Sequence, residues 1–504
     1  MTDRMAHPGL RAKVMSAEQA ATHIRPGDNV GMSGFTGAGY PKAVPQALAA
    51  QIGAARGRGE DFRIGVWTGA STAPELDGAL AEADGIEPRL PYQSDPVSRQ
   101  KINDGLMEYI DVHLSHVAQM AWEGFLGHLD VALVEVSAIN ADGTLVPSSS
   151  VGNNKTWLDL ADRVILEVNS WQPDGLRGMH DVYYGTALPP DRKPVLIERP
   201  DDRIGDPHLI CPPEKVVAVV ETDSPDRNSG FSPVDDTSRA IAGHLIDLLD
   251  AEVAAGRLPK DLLPLQSGVG NVANAVLAGL GESSYRDLTA YTEVLQDGML
   301  DLIDSGTIRF ASATAFSLSA EGVERFNAAV SRYREHILLR PQEISNHPEV
   351  IRRLGVIACN GMIEADIYGN VNSTHIMGSR IQNGIGGSGD FARNGYLSTF
   401  VTPSTAKGGA LSCIVPMVSH VDHTEHDVDV IITEQGLADL RGLAPRRRAR
   451  VIIERCAHPD YRDELLDYLE RAEAGGAGRH TPHLLGEAFS WHQRFQETGS
   501  MHHR

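Results

Sequence analysis

One stretch, Gln266–Gly298, constrains the fold more than any other part of the sequence. It reads QSGVGNVANAVLAGLGESSYRDLTAYTEVLQDG. A glycine pair, Gly268 and Gly270, opens a helix pattern, and a short β-like run then stops at Glu293. A second amphipathic helix pattern follows directly. Because ligands bind outside the carboxyl ends of strands in open α/β sheets, Glu293 is a candidate nucleophile or base.

Strand and helix patterns alternate through the first half of the chain. Apolar runs at Asn29–Ser33, Phe62–Thr68, Val131–Val136 and Arg163–Val168 predict strands, and Pro41–Gln51 and Pro74–Ala81 predict helices. Thr72 and Glu75 have the spacing of a capping box for the second helix. This alternation is typical of βαβ units with a mainly parallel sheet.

The second half repeats the order of glycine loops and strand ends found in the first. We therefore predict two related open α/β domains, residues 1–225 and 226–504, with the nucleophile candidate in the second. Coincidental similarity among glycine-rich loops is the alternative. The 504 residues also exceed what a single hydrophobic core supports.

Composition and charge exclude several functions. The formal net charge of −22 argues against nucleic acid or an anionic membrane as partner, because both need clustered positive charge. Four cysteines without C-x-x-C spacing favour a reducing cytoplasm. No signal-peptide core and no apolar run of about 18 residues is found. The polar tail from Ser490 onward is predicted to be mobile.

A dinucleotide-binding fingerprint is one interpretation of Gly268-x-Gly270-x-x-Ala273, with Glu293 where a ribose-binding acid would lie. The fingerprint falls in mid-chain, and the preceding run contains Pro264, which lacks the N–H that a central strand needs. Such glycines also serve ordinary strand-to-helix turns. A dehydrogenase therefore remains an alternative.

Two further segments contain candidate ligand groups. Four glycines within residues 384–389 let backbone N–H groups approach an anion or an oxyanion, a flexible turn being the alternative. The histidines His420, His423 and His426 resemble a metal motif, but their spacing gives no shared face, so no metal is predicted. A hydrogen-bonded loop after an apolar strand, Leu411–Val418, is favoured instead.

A second carboxylate follows another predicted strand. The strand pattern Asp427–Thr433 ends at Glu434, and a helix is predicted over Leu437–Leu443. A basic run, residues 446–450, reads as a solvated helix start, although arginines there could meet a phosphate.

Six motifs together resemble the acetyl-CoA hydrolase/transferase family. They are GVGNVANAV, YTEVLQDG, RPQEISNHPE, IYGNVNSTH, GIGGSGDFARN and VIITEQGLADLRG. The resemblance covers nearly the whole chain. It implies two CoA-transferase-type α/β domains with the active site in the cleft between them, and a homodimer. The implied reaction moves CoA between a short acyl-CoA, such as succinyl-CoA or acetyl-CoA, and a carboxylate such as acetate.

The resemblance also assigns roles to individual residues. It implies that Glu293 is the nucleophile, that the backbone N–H groups of Val269 and Gly387 bind the oxyanion, and that Glu434 is the second carboxylate. The residues implied for CoA and for the acyl substrate form a longer set: Asn346, Gly386, Ser388, Gly268 and Gly270 for CoA, and Ser71 and Arg227 for the substrate.

The implied mechanism proceeds through an acyl-glutamyl anhydride and a glutamyl-CoA thioester at Glu293. No metal and no cofactor beyond CoA is expected. Because a nearby carboxylate would raise its pKa, we predict hydrogen bonds that keep Glu293 ionised. Acyl-CoA hydrolysis and a CoA-binding module without turnover remain as alternatives.

Overall fold

The computed structural model describes residues 4–228, 234–268, 270–475 and 477–502. It confirms a mixed α/β fold in which parallel strands predominate. The strands, numbered in chain order, are β1 Asn29–Met32, β2 Ile64–Trp67, β3 Ile86–Leu90, β4 Val131–Ile139, β5 Leu145–Pro147, β6 Arg163–Asn169, β7 Val216–Thr222, β8 Leu265–Ser267, β9 Leu288–Tyr291, β10 Val294–Leu295, β11 Ile308–Ala313, β12 Ala315–Phe316, β13 Ile337–Leu339, β14 Ile357–Gly361, β15 Glu364–Asp366, β16 Val371–Asn372, β17 His375–Ile376, β18 Arg380–Ile381, β19 Leu397–Val401, β20 Thr405–Ala406, β21 Leu411–Ser412, β22 Ile414–Val415, β23 Val430–Thr433 and β24 Gly436–Asp439.

Helices connect most of these strands. The α-helices are α1 Pro8–Arg11, α2 Ala17–Ala21, α3 Val44–Gly57, α4 Ala79–Glu82, α5 Pro96–Asn103, α6 Val117–Trp122, α7 Asn154–Leu160, α8 Asp236–Ala254, α9 Asn271–Glu282, α10 Asp297–Asp304, α11 Ala320–Ala328, α12 Val330–Tyr333, α13 Gln342–Ser345, α14 Pro348–Leu354, α15 Ser388–Asn394, α16 Pro445–Cys456, α17 Pro459–Gly475 and α18 Ser490–Thr498. A π-helical turn spans Pro74–Gly78, and short 3₁₀ turns span Leu114–His116, Asp174–Leu176 and Glu425–Asp427. None of the described helices is long and apolar enough to cross a membrane.

The chain forms two compact units that are not contiguous in sequence. The first contains Met1–Gly230 and Thr289–Leu354, and the second contains Phe231–Leu288 and Gly355–Arg504. This division differs from the two segments predicted from the sequence, because residues 289–354 pack into the first unit. Glu293 therefore belongs to the first compact unit.

The first unit contains a sheet with the strand order β3-β2-β1-β4-β6-β7, to which β5 adds antiparallel to β4. The strands on the main path are parallel, with Val30 opposite both Val66 and Val131. Every residue of β4 is buried, which is typical of a parallel strand covered on both faces. Strands β13, β11 and β9 lie side by side elsewhere in this unit, and β10 pairs with β12 in parallel.

In the second unit, strands β8, β14, β19 and β23 run parallel in that order, and β24 adds antiparallel at the end. Strand β8 begins at Leu265, directly after Pro264, whose carbonyl oxygen accepts a hydrogen bond from the N–H of Ile357. Proline thus precedes the strand and does not interrupt it. A core formed by residues of β19, β23, β24, α16 and α17 stabilises the unit.

The helix predicted over Leu437–Leu443 is wrong. The structure has β24 there, paired with β23 through Thr433 and Gly436. Gly436 has φ of 155°, which supports the tight reversal between the two strands. The next helix, α16, begins at Pro445. Proline is favoured in the first turn of a helix.

Three shorter predictions also fail. The apolar run Leu411–Val418 forms two separate short strands, β21 and β22, and not one. The π-helical turn after Ala73 has no side-chain cap, so the predicted capping box is absent. The tail is not a mobile segment over the described residues, because α18 buries Trp491 and His492.

Candidate active site

Glu293 lies in the connection between β9 and β10 of the first unit. Its backbone carbonyl oxygen accepts hydrogen bonds from the N–H groups of Thr314 at 2.9 Å and Ala315 at 3.2 Å. These donors lie at the matching crossing from β11 to β12. The predicted position at the end of a strand is therefore correct, and a second strand end holds the backbone of Glu293 in place.

Asn346 is the direct partner of the Glu293 carboxylate. Its side-chain Nδ2 donates a hydrogen bond to Glu293 Oε1 at 2.5 Å. Asn346 is fully buried at the end of α13, and Tyr291 anchors this short helix by donating its hydroxyl to the carbonyl oxygen of Ile344. The amide oxygen, Asn346 Oδ1, is buried and accepts no hydrogen bond from the described residues.

The environment of Glu293 opposes its ionisation. Burial raises the pKa of the half-buried carboxyl group to about 7, and the hydrogen bond from Asn346 acts in the opposite direction. The prediction that hydrogen bonds hold Glu293 ionised is therefore wrong as to the dominant effect. Desolvation, and not a neighbouring carboxylate, sets the direction of the pKa shift.

Ser71 follows β2 in a buried network of polar side chains. Its hydroxyl accepts hydrogen bonds from Ser94 N at 2.9 Å and Ser94 Oγ at 3.0 Å, and it lies 3.3 Å from Asp77 Oδ2. Asp77 is in turn paired with Arg89 at 2.9 Å, and both side chains are fully buried. Ser71 is thus held in one orientation.

Arg227 is joined to the glycine-rich loop of residues 34–39. Its N–H donates to the carbonyl oxygen of Gly37 at 2.9 Å, and its guanidinium lies 2.8 Å from Glu75 Oε1. A Cβ on Gly37 would lie 1.8 Å from the Arg227 carbonyl oxygen, so only glycine fits this close approach. The guanidinium itself remains largely exposed, with 63% of the side chain accessible.

A small apolar cluster connects these pieces of the first unit. Its fully or nearly fully buried members are Phe35, Ala70, Leu114, Val294 and Ala315. Ala70 precedes Ser71, and Val294 follows Glu293. The structure therefore brings the predicted residues Glu293, Asn346, Ser71 and Arg227 onto mutually packed segments of one compact unit.

The second unit contains the glycine pair predicted near Glu293. Gly268 donates its N–H to the carbonyl oxygen of Cys359 at 3.1 Å, and Gly270, with φ of 127°, precedes α9. Val269, the predicted oxyanion donor between them, lies outside the described residues. The hydrogen bond of Gly268 shows that this N–H already has a partner.

The predicted CoA loop lies before α15 in the second unit. Gly386 has φ of 57°, and Gly387 is the residue before the helix. The N–H of Gly387 meets no acceptor among the residues that the structure describes. Ser388 Oγ lies 2.9 Å from the carbonyl oxygen of Ile385 and 3.1 Å from His423 Nε2, so the loop is ordered by its own contacts.

Glu434 lies in the turn between β23 and β24. It accepts hydrogen bonds from the N–H of Ser404 at 2.7 Å, from the Ser404 hydroxyl, and from Gln435 Nε2 at 3.0 Å. Although burial opposes it, these hydrogen bonds hold the pKa of Glu434 below its ordinary value. The pKa of Glu434 is thus shifted in the direction that favours the ionised carboxylate, whereas the pKa of Glu293 is shifted in the opposite direction.

The histidine-rich segment has a structural role. Asp422 accepts hydrogen bonds from Ser373 and Thr374, His420 lies 3.3 Å from Asp422, and His423 packs on the ring of Phe400. Within residues 4–228, 234–268, 270–475 and 477–502, no group of three or more metal-binding side chains occurs. The segment supports Ser388 through His423.

Sequence reasoning missed the residues that position the site. Tyr291 anchors α13, Glu75 pairs with Arg227, and Asp77 orders the Ser71 loop. Tyr291 precedes Glu293 by two residues, and alternate residues of a strand share a face, which is a usable signal. Glu75 pairs with Arg227, which is distant in the sequence, and no sequence motif marks the partners of Asp77.

Two family models match most of the chain. Residues 3–221 match the acetyl-CoA hydrolase/transferase N-terminal domain, and residues 322–469 match the C-terminal domain of the same family. The chain belongs to the acetyl-CoA hydrolase/transferase family. Members of this family include CoA-transferases and acetyl-CoA hydrolases, and the chain is an enzyme of this type.

Several curated relatives are similar over nearly full length. A succinyl-CoA:acetate CoA-transferase of Clostridium kluyveri is 51% identical, covering 99% of this chain and 92% of the relative. An acetyl-CoA hydrolase of Schizosaccharomyces pombe is 47% identical, covering 95% and 94%. A propanoyl-CoA:succinate CoA transferase of Escherichia coli is 46% identical, covering 97% and 98%.

Solved structures share the fold. RipA from Yersinia pestis aligns with a TM-score of 0.72 and 26% identity, covering 91% of this chain and 97% of that chain. A 4-hydroxybutyrate CoA-transferase from Porphyromonas gingivalis aligns with a TM-score of 0.63 and 24% identity, covering 92% and 98%. The second likeness concerns the fold alone.

Proposed function

We propose that this enzyme transfers CoA between a short acyl-CoA, such as succinyl-CoA or acetyl-CoA, and a carboxylate such as acetate, with Glu293 as the nucleophile. The observation that carries the proposal is the half-buried Glu293 carboxylate held by Asn346 at 2.5 Å. A carboxylate whose pKa is raised is a stronger nucleophile than an ordinary one, and it is fixed in direction by its partner.

The reaction begins when ionised Glu293 attacks the thioester carbonyl carbon. Collapse of the tetrahedral intermediate breaks the C–S bond, which releases CoA thiolate and leaves an acyl-glutamyl anhydride. The thiolate then attacks the Glu293 carbonyl carbon, which expels the first carboxylate and forms a glutamyl-CoA thioester. The acceptor carboxylate attacks this thioester, and the two steps run in reverse to give the new acyl-CoA and free Glu293.

Each step places negative charge on a carbonyl oxygen. Backbone N–H groups aimed at that oxygen contribute on the order of 3–4 kcal/mol each to such transition states. The unengaged N–H of Gly387 supports its proposed role as one of these donors. Val269 is proposed as the other on the family resemblance alone.

Asn346 serves two partners in this proposal. Its Nδ2 holds Glu293, and the buried Oδ1, which has no partner among the described residues, is suited to accept an amide N–H of the pantetheine arm. Gly268, Gly270, Gly386 and Ser388 are proposed to form the remaining CoA surface. Glu434 is proposed as a second carboxylate that orients an acceptor or a water molecule.

Ser71 and Arg227 are proposed to meet the carboxylate substrate. The Arg227 guanidinium is exposed on one side and paired with Glu75 on the other, which leaves donors for a substrate carboxylate. The ordered Ser71 hydroxyl adds a neutral hydrogen-bonding group on a neighbouring segment.

Chemical trapping tests the covalent intermediate. Purified enzyme incubated with acyl-CoA and then with borohydride or hydroxylamine should show modification of the peptide that contains Glu293. Glu293→Gln should abolish both trapping and turnover, whereas the exposed control Glu335→Gln should change neither. Normal transfer by Glu293→Gln, or a wild-type enzyme that resists both reagents during turnover, would contradict the mechanism.

Acyl-CoA hydrolysis is the second candidate function. Glu293 is only half-buried, so water has access to an intermediate at this position, and one of the similar relatives is named an acetyl-CoA hydrolase. The two functions separate in one assay that follows free thiol. Release of CoA at full rate without any carboxylate acceptor would favour hydrolysis, and acceptor-dependent formation of a second acyl-CoA would favour transfer.

The proposal also includes a homodimer in a reducing cytoplasm. Four buried free cysteines support the reducing compartment. The homodimer rests on the family resemblance, and sedimentation of the purified protein tests it: a species of twice the 54.4 kDa chain mass is expected.

A further inference from the structure

The first compact unit contains a cavity that the mechanism does not use. Its volume is about 540 Å³, within the range of small-molecule sites, which is roughly 300–1,000 Å³. Helix α6, the connection of residues 183–195 and the residues of α13 and α14 form its walls. Neither Glu293 nor Asn346 lines it.

Glu343 presents a buried carboxylate to this cavity. Only 6% of the residue is exposed, and neither carboxylate oxygen accepts a hydrogen bond from the described residues. The neighbouring cation, Lys155, is already paired with Asp159 at 2.9 Å and lies 3.8 Å over the ring of Trp122. Because an ionised carboxylate without hydrogen bonds is costly to bury, Glu343 is suited to a ligand that brings N–H donors.

Three more polar groups of the same walls have no partner among the described residues. They are Trp122 Nε1, Thr186 Oγ1 and His347 Nδ1. They come from three different segments of the chain, so chance packing of one loop does not account for them. Together with Glu343 they offer two acceptor oxygens, one obligatory donor and two adaptable groups around one cavity.

Positive charge lies at the edge of this cavity. Arg192 and Lys193 both line it, and both are exposed to solvent. The rings of Trp122 and Tyr183 supply flat apolar wall. A matching ligand therefore has a flat nitrogen heterocycle with N–H donors at one end and an anionic group at the other.

Purine nucleotides have this combination of features. The base offers N–H donors for Glu343, ring acceptors for Trp122 Nε1 and π faces for the aromatic wall, and the phosphate suits Arg192 and Lys193. An aliphatic amino acid carries both charges but has no flat ring face that the aromatic walls could stack on. A simple amine would leave Arg192 and Lys193 unmatched.

Helix α13 joins this cavity to the nucleophile. Glu343 lies within the helix, and Asn346, the residue that ends it, donates to Glu293 at 2.5 Å. The whole connection is a single helical turn, so a ligand that pulls on Glu343 also moves the donor of Glu293. We propose that the cavity beside α13 binds a purine nucleotide and that its occupancy alters the hydrogen bond between Asn346 and Glu293.

Direct binding tests the site without reference to turnover. Calorimetric titration of the full-length enzyme with AMP and with GMP, in the presence of saturating CoA, should show one nucleotide per chain for at least one of them. Ribose 5-phosphate and inorganic phosphate should bind at least tenfold more weakly, because they lack the base. Displacement of the nucleotide by CoA would assign the cavity to the coenzyme. Absence of binding up to millimolar nucleotide would mean that the cavity is not a nucleotide site. Either result overturns the proposal.

Variants locate the binding. Glu343→Gln and Trp122→Phe should each weaken nucleotide binding at least tenfold while thermal unfolding remains cooperative. Glu349→Gln is the matched control, because Glu349 is exposed on the same wall and bonded to Arg353. Equal affinity in Glu343→Gln and wild type would contradict the assignment, and Trp122→Phe keeps that test open if Glu343→Gln does not fold.

The coupling rests on the proposed role of Glu293, whereas the binding does not. Saturating nucleotide should change kcat of wild-type transfer at least twofold and leave Glu343→Gln unaffected. Nucleotide binding with unchanged kcat would overturn the coupling alone. Failure of the proposed function itself would instead appear as absent trapping at Glu293, with or without nucleotide.

Discussion

Glu293 must be ionised to attack, yet its surroundings favour the neutral acid. Burial raises its pKa to about 7, and the hydrogen bond from Asn346 opposes that rise. The ionised fraction therefore falls about tenfold for each pH unit below 7. The acid limb of the pH–rate profile therefore measures the pKa of Glu293 directly.

We expect kcat/KM for the acyl-CoA donor to fall below a pH of about 7. Asn346→Ala removes the hydrogen bond that favours the carboxylate, and such bonds contribute roughly 1.5–3 kcal/mol, so the acid limb should move upward by about one pH unit or more. Initial rates between pH 5 and 9 measure this shift. Asn140→Ala, in a turn where its side chain bonds Thr144, is the control and should leave the limb in place.

An acid limb near the ordinary glutamate pKa in the wild-type enzyme would contradict this account. So would an Asn346→Ala profile with an unchanged limb, because Asn346 is the hydrogen-bond donor that lowers the pKa of Glu293. A uniform loss of rate at every pH would mean that Asn346 acts on CoA binding alone.

Individual site residues were predictable where a motif contained them. Glu293 follows a β-like run, and the EISN segment contains Asn346, so both could be proposed from the sequence. Their mutual hydrogen bond was not predictable, because 53 residues separate them. The roles of Tyr291 and Glu75 depend likewise on partners that only the folded chain brings near.

At the level of elements, the short helix α13 positions Asn346, the hydrogen-bond donor to the nucleophile. A helix of four residues has little stability of its own, so external contacts hold it. The Tyr291 hydroxyl supplies one of them by donating to the Ile344 carbonyl oxygen, and both residues are buried. The side chain that orients Glu293 thus depends on a residue of the preceding strand.

Tyr291→Phe should therefore lower both stability and rate. Loss of a buried hydrogen bond should cost about 1–2 kcal/mol of unfolding free energy, and kcat should fall several-fold because Asn346 is less well held. Urea unfolding and steady-state kinetics measure the two effects. Tyr333→Phe removes a hydroxyl bonded to Asp304 in the same unit, and this control should lose stability without losing kcat.

A buried ion cluster fixes the glycine-rich loop of the first unit. Lys42 Nζ lies 2.5 Å from Glu135 Oε2 and 2.9 Å from Asp226 Oδ1, and all three side chains are at most 4% exposed. Asp226 also accepts the N–H of Gly39 and precedes Arg227. Strand β4 and this loop are thus joined by charge as well as by packing.

Lys42→Met leaves two buried carboxylates without their cation and should cost about 3–5 kcal/mol at pH 8. Burial raises the pKa of Glu135 to about 7 even beside Lys42. A carboxyl group whose pKa is raised in the folded state binds more protons in the folded state than in the unfolded state. The unfolding free energy lost in Lys42→Met should therefore become smaller as the pH falls below 7, because protonation removes the unpaired buried charge. Urea unfolding at pH 6 and pH 8 measures this difference.

The surface pair Lys101–Asp84 provides the control. Asp84 is 43% exposed, so Lys101→Met should cost less than about 1 kcal/mol at either pH. A loss for Lys42→Met that is equal at pH 6 and pH 8 would contradict the protonation argument.

Elements with strong local patterns were predictable, and those decided by pairing were not. Strand β1 was predicted over Asn29–Ser33 from an apolar run and is observed over Asn29–Met32. Strand β24 was taken for a helix, because its four residues form a strand only through pairing with β23. The tail was predicted to be mobile because it is polar. In the structure Trp491 packs into the core of the second unit, and His492 forms a hydrogen bond with the buried Glu364.

At the level of the whole molecule, compact units do not follow the order of the chain. Motif order and the family domains suggested two consecutive halves, but residues 289–354 pack with the N-terminal segment. Sequence periodicity reports which residues are buried, and it does not report against which segment they are buried. The assignment of Glu293 to a unit therefore required the structure.

The four cysteines allow both units to be followed in solution. All are free and at most 6% exposed, and burial raises the pKa of each thiol to about 11 or 12. Because the thiolate is the reactive form, native enzyme should react with Ellman's reagent far more slowly than free CoA does. Four thiols per chain should react in denaturant. Rapid labelling of native enzyme would contradict the burial.

The same chemistry distinguishes the two units. Cys211 belongs to the first unit, and Cys359, Cys413 and Cys456 belong to the second. Under pulsed alkylation at increasing urea, the three cysteines of the second unit should become reactive together, because all three lie in one compact unit that we expect to unfold cooperatively. Peptide mass spectrometry measures each site. Exposure of Cys456 at a urea concentration that leaves Cys359 protected would contradict a single cooperative second unit.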